Sequence, residues 1–138
     1  MNIDSIKNGY VLDHITAGKA MKIYELLELN KLDCQVAIIT NARSNKYGKK
    51  DMIKIDRLID IDLNKIGYID PRTTICIVKN DKIIEKKVLS KPKELINVVS
   101  CKNPRCITSV ERGLDQIFIL KENDRYRCKY CETILEQE

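Results

Sequence analysis

The 138-residue chain has no tryptophan, one phenylalanine and one histidine; its other aromatics are six tyrosines. With so little imidazole, catalytic chemistry finds few candidates. No Ser/His/Asp, Cys/His or paired-carboxylate arrangement stands out, and neither a P-loop nor a G-x-G-x-x-G is present. The residues describe a binding protein, not an enzyme. No apolar run approaches the roughly 20 residues of a membrane span. The opening Met1-Asn-Ile-Asp-Ser-Ile-Lys7 lacks the apolar core and cleavage site of a signal peptide. Internal repeats and low-complexity tracts are absent too. What remains, 43% hydrophobic and 33% charged, is the composition of a soluble globular protein of one domain or two small ones. A cytoplasmic location is expected, and there thiols stay reduced, so the six cysteines point to metal or catalysis before disulfides.

The net charge of +5 is unevenly placed. Residues 1–95 hold 18 Lys and Arg against 13 Asp and Glu, whereas residues 96–138 hold 7 against 7. Four of the six cysteines lie in that neutral last third. Two domains are expected, 1–92 and 96–138, with Ser90–Lys93 and its Pro92 as a linker and a hinge near Ser90–Leu95.

The first domain opens with a strand over Gly9–Ile15, followed by Thr16 as a candidate N-cap and a helix to about Leu29, with Ala20, Ile23, Tyr24 and Leu27 as its apolar stripe. Cys34–Thr40 reads as an inner strand and Asn41–Gly48 as a turn. Lys50–Asp56 alternates strictly, Ile53 and Ile55 on one face and Lys50, Met52, Lys54 and Asp56 on the other. A short helix over Leu58–Ile66, ended near Gly67, precedes a strand over Thr73–Val78. The Asn80-Asp81 turn then leads into a strand over Lys82–Leu89. The resulting β-α-β-β-α-β(β) order predicts an α+β, ferredoxin-like sandwich with its helices on one face. In the last third, Ile117–Leu120 and Tyr126–Lys129 form a small antiparallel pair around the turn Glu122-Asn123-Asp124. A unit of about 40 residues with so few apolar side chains needs a metal or disulfides to stay folded.

That metal site is legible. Cys101-x4-Cys106 and Cys128-x2-Cys131, with 21 residues between the pairs, supply four soft ligands at the spacing of a structural zinc site. Four thiolates leave no open coordination position, so the ion is expected to be structural. Cys34 and Cys76 lie inside strands and read as small buried hydrophobes.

A zinc ribbon in a basic protein suggests nucleic acid, which is the alternative reading here. The charge map argues against it, because the zinc-bearing third lacks the Lys/Arg excess that phosphate neutralisation requires. The excess lies in Arg43–Arg57 and Lys79–Lys93, each with six basic and two acidic residues; Tyr47 is the one aromatic among them, too few to stack a run of bases. Strand geometry can aim Lys50, Lys54 and Lys86 from one sheet surface, which suits a small polyphosphate better than a duplex. His14, beside Asp13 at the end of the first strand, carries no assignment from residues alone.

The residues resemble the regulatory chain of aspartate carbamoyltransferase. The likeness runs through Ile6-Lys-x-Gly9-x-Val11-x-Asp13-His14-Ile15, Gly48-Lys-Lys-Asp-Met-Ile-Lys54-Ile, Cys101-x-Asn-x-x-Cys106-Ile and Cys128-Lys-Tyr-Cys131-Glu, in order across essentially the whole chain. The resemblance implies a non-catalytic, allosteric subunit of pyrimidine biosynthesis. Its N-terminal domain would bind nucleotides, CTP with UTP in support as inhibitors and ATP as activator. Its zinc domain would dock on the catalytic chain, and regulatory chains would pair as homodimers. Carried over by position, Asp13 and Lys54 would hold the ribose hydroxyls, and His14 and Lys86 the triphosphate, with neighbouring Lys87 a rival for the latter. Ile3, Asp4, Ile6, Val11 and Ile83 would line the base pocket. Two departures from the family pattern stand out. The N-terminal arm that helps form a second nucleotide site in well-known members is shorter here, and Asp81 stands where an aromatic is expected.

Overall fold

The computed structural model describes residues 6–136. The chain divides into two compact units, Met1–Lys91 and Pro92–Glu138. In the first, five antiparallel strands form one sheet in the order β2-β3-β1-β4-β5: β1 (Gly9–Thr16), β2 (Val36–Ser44), β3 (Gly48–Ile55), β4 (Thr74–Lys79) and β5 (Lys82–Val88). Helices α1 (Ala20–Leu26) and α2 (Leu63–Ile69) supply Ala20, Ile23 and Ile66 to a core shared with Leu12, Ile15, Ile53, Ile55 and Ile75 of the sheet. The helices therefore cover one face, and the other carries the odd residues of β1 as far as Asp13 and the even residues of β3 and β4. This is the expected α+β arrangement, with β5 extending one edge.

The alternation in β3 follows the expected pattern, Ile53 and Ile55 buried and Met52 and Lys54 on the opposite face. Several boundaries differ. Thr16 ends β1 and caps nothing. Helix α1 starts at Ala20, and N–H groups at and just before its start turn instead to Asp51, whose Oδ2 accepts from Gly18 N (2.9 Å) and Ala20 N (3.3 Å). A 3₁₀ turn at Leu29–Lys31 follows α1 in place of a continuous helix. Asn41–Ser44 is strand, not turn. Strand β2 passes through a bulge at Thr40-Asn41 opposite Asp51, where Asn41 N donates to Asp51 Oδ1 at 3.0 Å. The second helix runs over Leu63–Ile69, because Asp62 caps it by accepting from Asn64 N and Lys65 N. Gly67 lies inside that helix, and Ile59 and Ile61 pack on the core from an irregular segment.

In the second unit β6 (Glu94–Ile96), β7 (Ile117–Lys121) and β8 (Arg125–Cys128) form an antiparallel sheet, and a one-turn helix α3 (Ile107–Val110) follows Cys106. Strand β6 falls where a hinge was expected: it pairs with β7 and buries Leu95 against Phe118. Tyr126 completes this small core and donates its hydroxyl to Pro92 O at 2.6 Å.

Candidate metal centre and cation-bearing sheet face

The four cysteines of the second unit meet at one point. Cys101 and Cys131 sulfurs lie 3.6 Å apart, Cys106 and Cys128 sulfurs 3.7 Å, and all four within 4.8 Å of one another. These separations exceed a disulfide's bond of about 2 Å. They match the edge of about 3.8 Å expected for a tetrahedron of thiolates around zinc, with Zn–S near 2.3 Å. Each pair sits on a tight turn. Cys106 N donates to Asn103 O, and Glu132, with a φ of 61°, returns its N–H to Cys128 O. Backbone N–H groups of Asn103, Tyr130, Cys131 and Thr133 point at the sulfurs and favour their charged form. Burial nonetheless pushes the Cys101 thiol up to about 12. Its partner Cys131 is brought down to about 6, first by the Thr133 hydroxyl 3.1 Å away. The donor set and spacing fit a tetrahedral ion held structurally, with no position left for substrate.

On the first unit, the helix-free face gathers most of the other candidate residues. Leu12 pairs with Ile53 and Ile15 with Asp51, so Asp13 and His14 together oppose the single residue Met52. This bulge, with His14 at a φ of 58°, turns both side chains toward one face. Asp13 Oδ1 accepts from His14 N (2.7 Å) and pairs with Lys50 Nζ (2.9 Å). His14 Nδ1 lies 3.3 Å from Thr74 Oγ1. Burial works against the Asp13 charge, but the Lys50 ammonium and the His14 amide outweigh it and hold the carboxyl below its ordinary value. Lys54 stands opposite Val11, and across β1 Val11 faces Cys76, which pairs with Lys86. Lys86 acts on the Cys76 thiol, easing the upward push of burial, so the two share the open face. Lys87 pairs with Ile75, a core residue on the helix side. Further along, Gly9 pairs with Val78 and Val78 with Ile83, beside the segment following Ile6, whose Lys7 O accepts from Asp81 N. Ile3 and Asp4 lie outside the described residues.

Sequence reasoning missed one group here. Arg72 stacks its guanidinium carbon 3.8 Å from the centroid of the Tyr47 ring and donates Nε to His14 O at 3.2 Å. Lys46 Nζ lies 5.2 Å from the same ring. These residues come from separate loops, and nothing in their local sequence announces the meeting.

Two family models match the chain: aspartate carbamoyltransferase regulatory chain, allosteric domain, over residues 1–90, and the metal binding domain of the same chain over residues 93–138. The chain belongs to the aspartate carbamoyltransferase regulatory chain family. Its relatives include regulatory chains of Clostridium botulinum, 51% identical over 97% of this chain and 93% of the relative, and of Clostridium tetani, 48% identical over 97% and 95%. The regulatory chain of Bifidobacterium longum is 42% identical over 96% of both. As a member of this regulatory-chain family it is a non-catalytic subunit with an allosteric and a metal-binding domain, and in the latter the four clustered cysteines could hold one metal ion. Among the described residues, no helix is long and apolar enough to cross a membrane.

Proposed function

We propose that this regulatory chain binds a nucleoside triphosphate on the helix-free face of its first unit and transmits that binding to the aspartate carbamoyltransferase catalytic chain, on which its zinc-bearing unit docks. CTP, supported by UTP, would act as inhibitor and ATP as activator of pyrimidine biosynthesis. The observation that carries the reading is that His14, Lys50, Lys54 and Lys86 share one sheet face with a partly buried carboxylate, Asp13, which pairs with Lys50. A few cations set on rigid strands suit the tail of one small anion. Asp13 and Lys54 would hold the ribose, His14 and Lys86 the phosphates. Lys86 is favoured over Lys87 by its side of the sheet. Val11, Ile83 and Ile6 would line the base pocket, to which the family resemblance adds Ile3 and Asp4.

For docking, the zinc-bearing unit exposes Ile96, Ile107, Val110, Leu114 and Tyr130. Strand β5 is an open sheet edge with Ile84 and Val88 uncovered, which fits a homodimer of regulatory chains. Six cysteines, none of them in a disulfide, fit a reducing cytoplasm.

Calorimetric titration of the zinc-loaded chain with CTP and ATP tests the site. Saturable binding is expected, weakened about tenfold by Lys54→Ala or Lys86→Ala, the loss of one charge-assisted contact. Binding no tighter than millimolar and indifferent to both substitutions would overturn it.

A further inference from the structure

We propose that Arg72, presented by the Tyr47 ring, is a ligand for the terminal phosphates of the effector and makes the site selective for polyphosphate length; the inference rests on the effector-site reading above. Arg72 lies between α2 and β4 and is held there by Asp70, which is only 3% exposed. Asp70 Oδ1 accepts from Arg72 N at 3.2 Å and Oδ2 from Thr16 N at 2.6 Å, tying the end of α2 to the end of β1. The side chain is thereby brought to the bulge. Its Nε donates to His14 O, its flat face lies on Tyr47, and the same ring meets the His14 imidazole edge-on with centroids 6.2 Å apart.

Three permanent cations, Arg72, Lys46 and Lys50, together with His14, thus surround one ring and one bulge. Asp13 is already paired with Lys50, and among the described residues no carboxylate pairs with Arg72. Like charges gathered this closely repel, and Asp13, ion-paired with Lys50, offsets only part of that repulsion. An arginine whose face is stacked and whose Nε is occupied still presents its two terminal nitrogens as a fork, the geometry that takes phosphate oxygens bidentately. The position also has a direction. Lys54 and Lys86 stand level with Val11, and Asp13 and His14 follow along β1, about 7 Å further for two strand residues. Arg72 lies at the His14 end, away from Gly9, Val78 and Ile83. A nucleotide with its base at that far end would bring its last phosphates, and no others, to Arg72.

The test is calorimetric titration of the full zinc-loaded chain with CTP and with CMP. Arg72→Ala is expected to weaken CTP by about tenfold or more, one charge-assisted fork lost, and to leave CMP affinity within about twofold. Tyr47→Ala should reproduce that pattern, and Tyr47→Phe, which keeps the ring, should not. Equal losses for CTP and CMP in Arg72→Ala would show that Arg72 only orients His14, and an unchanged CTP affinity would show no role; either overturns the proposal. If Arg72→Ala fails to fold by thermal melting, the Tyr47→Ala titration decides by the same criteria. A wild-type chain that binds CTP in a Lys54-dependent way, with Arg72→Ala indifferent, removes this proposal alone. A wild-type chain that binds neither nucleotide removes the effector-site reading and this one with it.

Discussion

Asp51 and Asp13 come from neighbouring strands and do different work. Asp51 is fully buried and accepts backbone hydrogen bonds from Gly18, Ala20 and Asn41, so one carboxylate fixes the start of α1 and the bulge of β2 at once. Asp51→Asn keeps the shape but turns one oxygen into a donor facing N–H groups. A loss of about 1.5–3 kcal/mol is expected, read from chemical denaturation, since hydrogen bonds to a charged group are lost in the interior. A loss below about 0.5 kcal/mol, the range of ordinary surface changes, would show that water replaces those bonds. Asp13 instead belongs to the open face. Burial opposes its charge, and Lys50 with the His14 amide overcomes that opposition, leaving its pKa lowered from 3.8. A depressed carboxylate contributes stability that is complete above its ordinary value and is lost as pH falls through the lower folded value. Lys50→Met removes the ammonium while burial stays, so the Asp13 titration, followed by carboxyl carbon NMR shift, should move upward. An unmoved titration would assign the depression to the amide alone.

At the scale of elements, the bulge in β1 explains why the open face holds two consecutive polar side chains, and Gly9 explains why β1 can enter the sheet where it does. A Cβ at Gly9 would lie 1.9 Å from the Ile55 carbonyl oxygen and 2.9 Å from Arg57 N, both backbone atoms. Gly9→Ala must therefore shift β1 or β3, and overpacking of this kind costs about 1–3 kcal/mol. The expected result is a lower denaturation midpoint, accompanied by weakened nucleotide binding because β1 carries Val11, Asp13 and His14. A wild-type midpoint would mean that the strands part there at no cost. These elements also show what was legible. The Ile53/Ile55 alternation and the four cysteines were readable because their signals are local, a period of two and a short ligand spacing. Bulges hide, since one extra residue breaks the period and reads as a turn, as at Thr40-Asn41. The start of α2 was misplaced because Leu58, Ile59 and Ile61 give a mixed periodicity that marks no boundary, while the true boundary is the Asp62 cap. The Arg72–Tyr47 stack was unreadable, being created by the sheet's pairing and by no neighbouring residues.

For the whole molecule, the two units depend on different forces. Met1–Lys91 has a core of nine buried apolar residues that includes both helices and three strands. Pro92–Glu138 has Leu95, Phe118 and Tyr126 beside two buried cysteines, and a metal there contributes about 10–16 kcal/mol in comparable small units. Chelation should therefore erase the amide dispersion of β6–β8 and leave that of the first unit in place, as followed by 1H–15N spectra. Its functional consequence follows from linkage. An effector shifts the catalytic chain only through differential affinity for two states of the assembly, and by reciprocity a substrate analogue on the catalytic chain must change nucleotide affinity by the same factor. In the assembled enzyme, CTP affinity measured with and without saturating analogue should differ by that factor. After metal removal, the factor should fall to one while the isolated chain still binds CTP through Lys54 and Lys86. Loss of CTP binding together with the coupling would place the effector site partly in the metal-dependent unit, and persistence of the coupling without metal would detach the zinc-bearing unit from transmission.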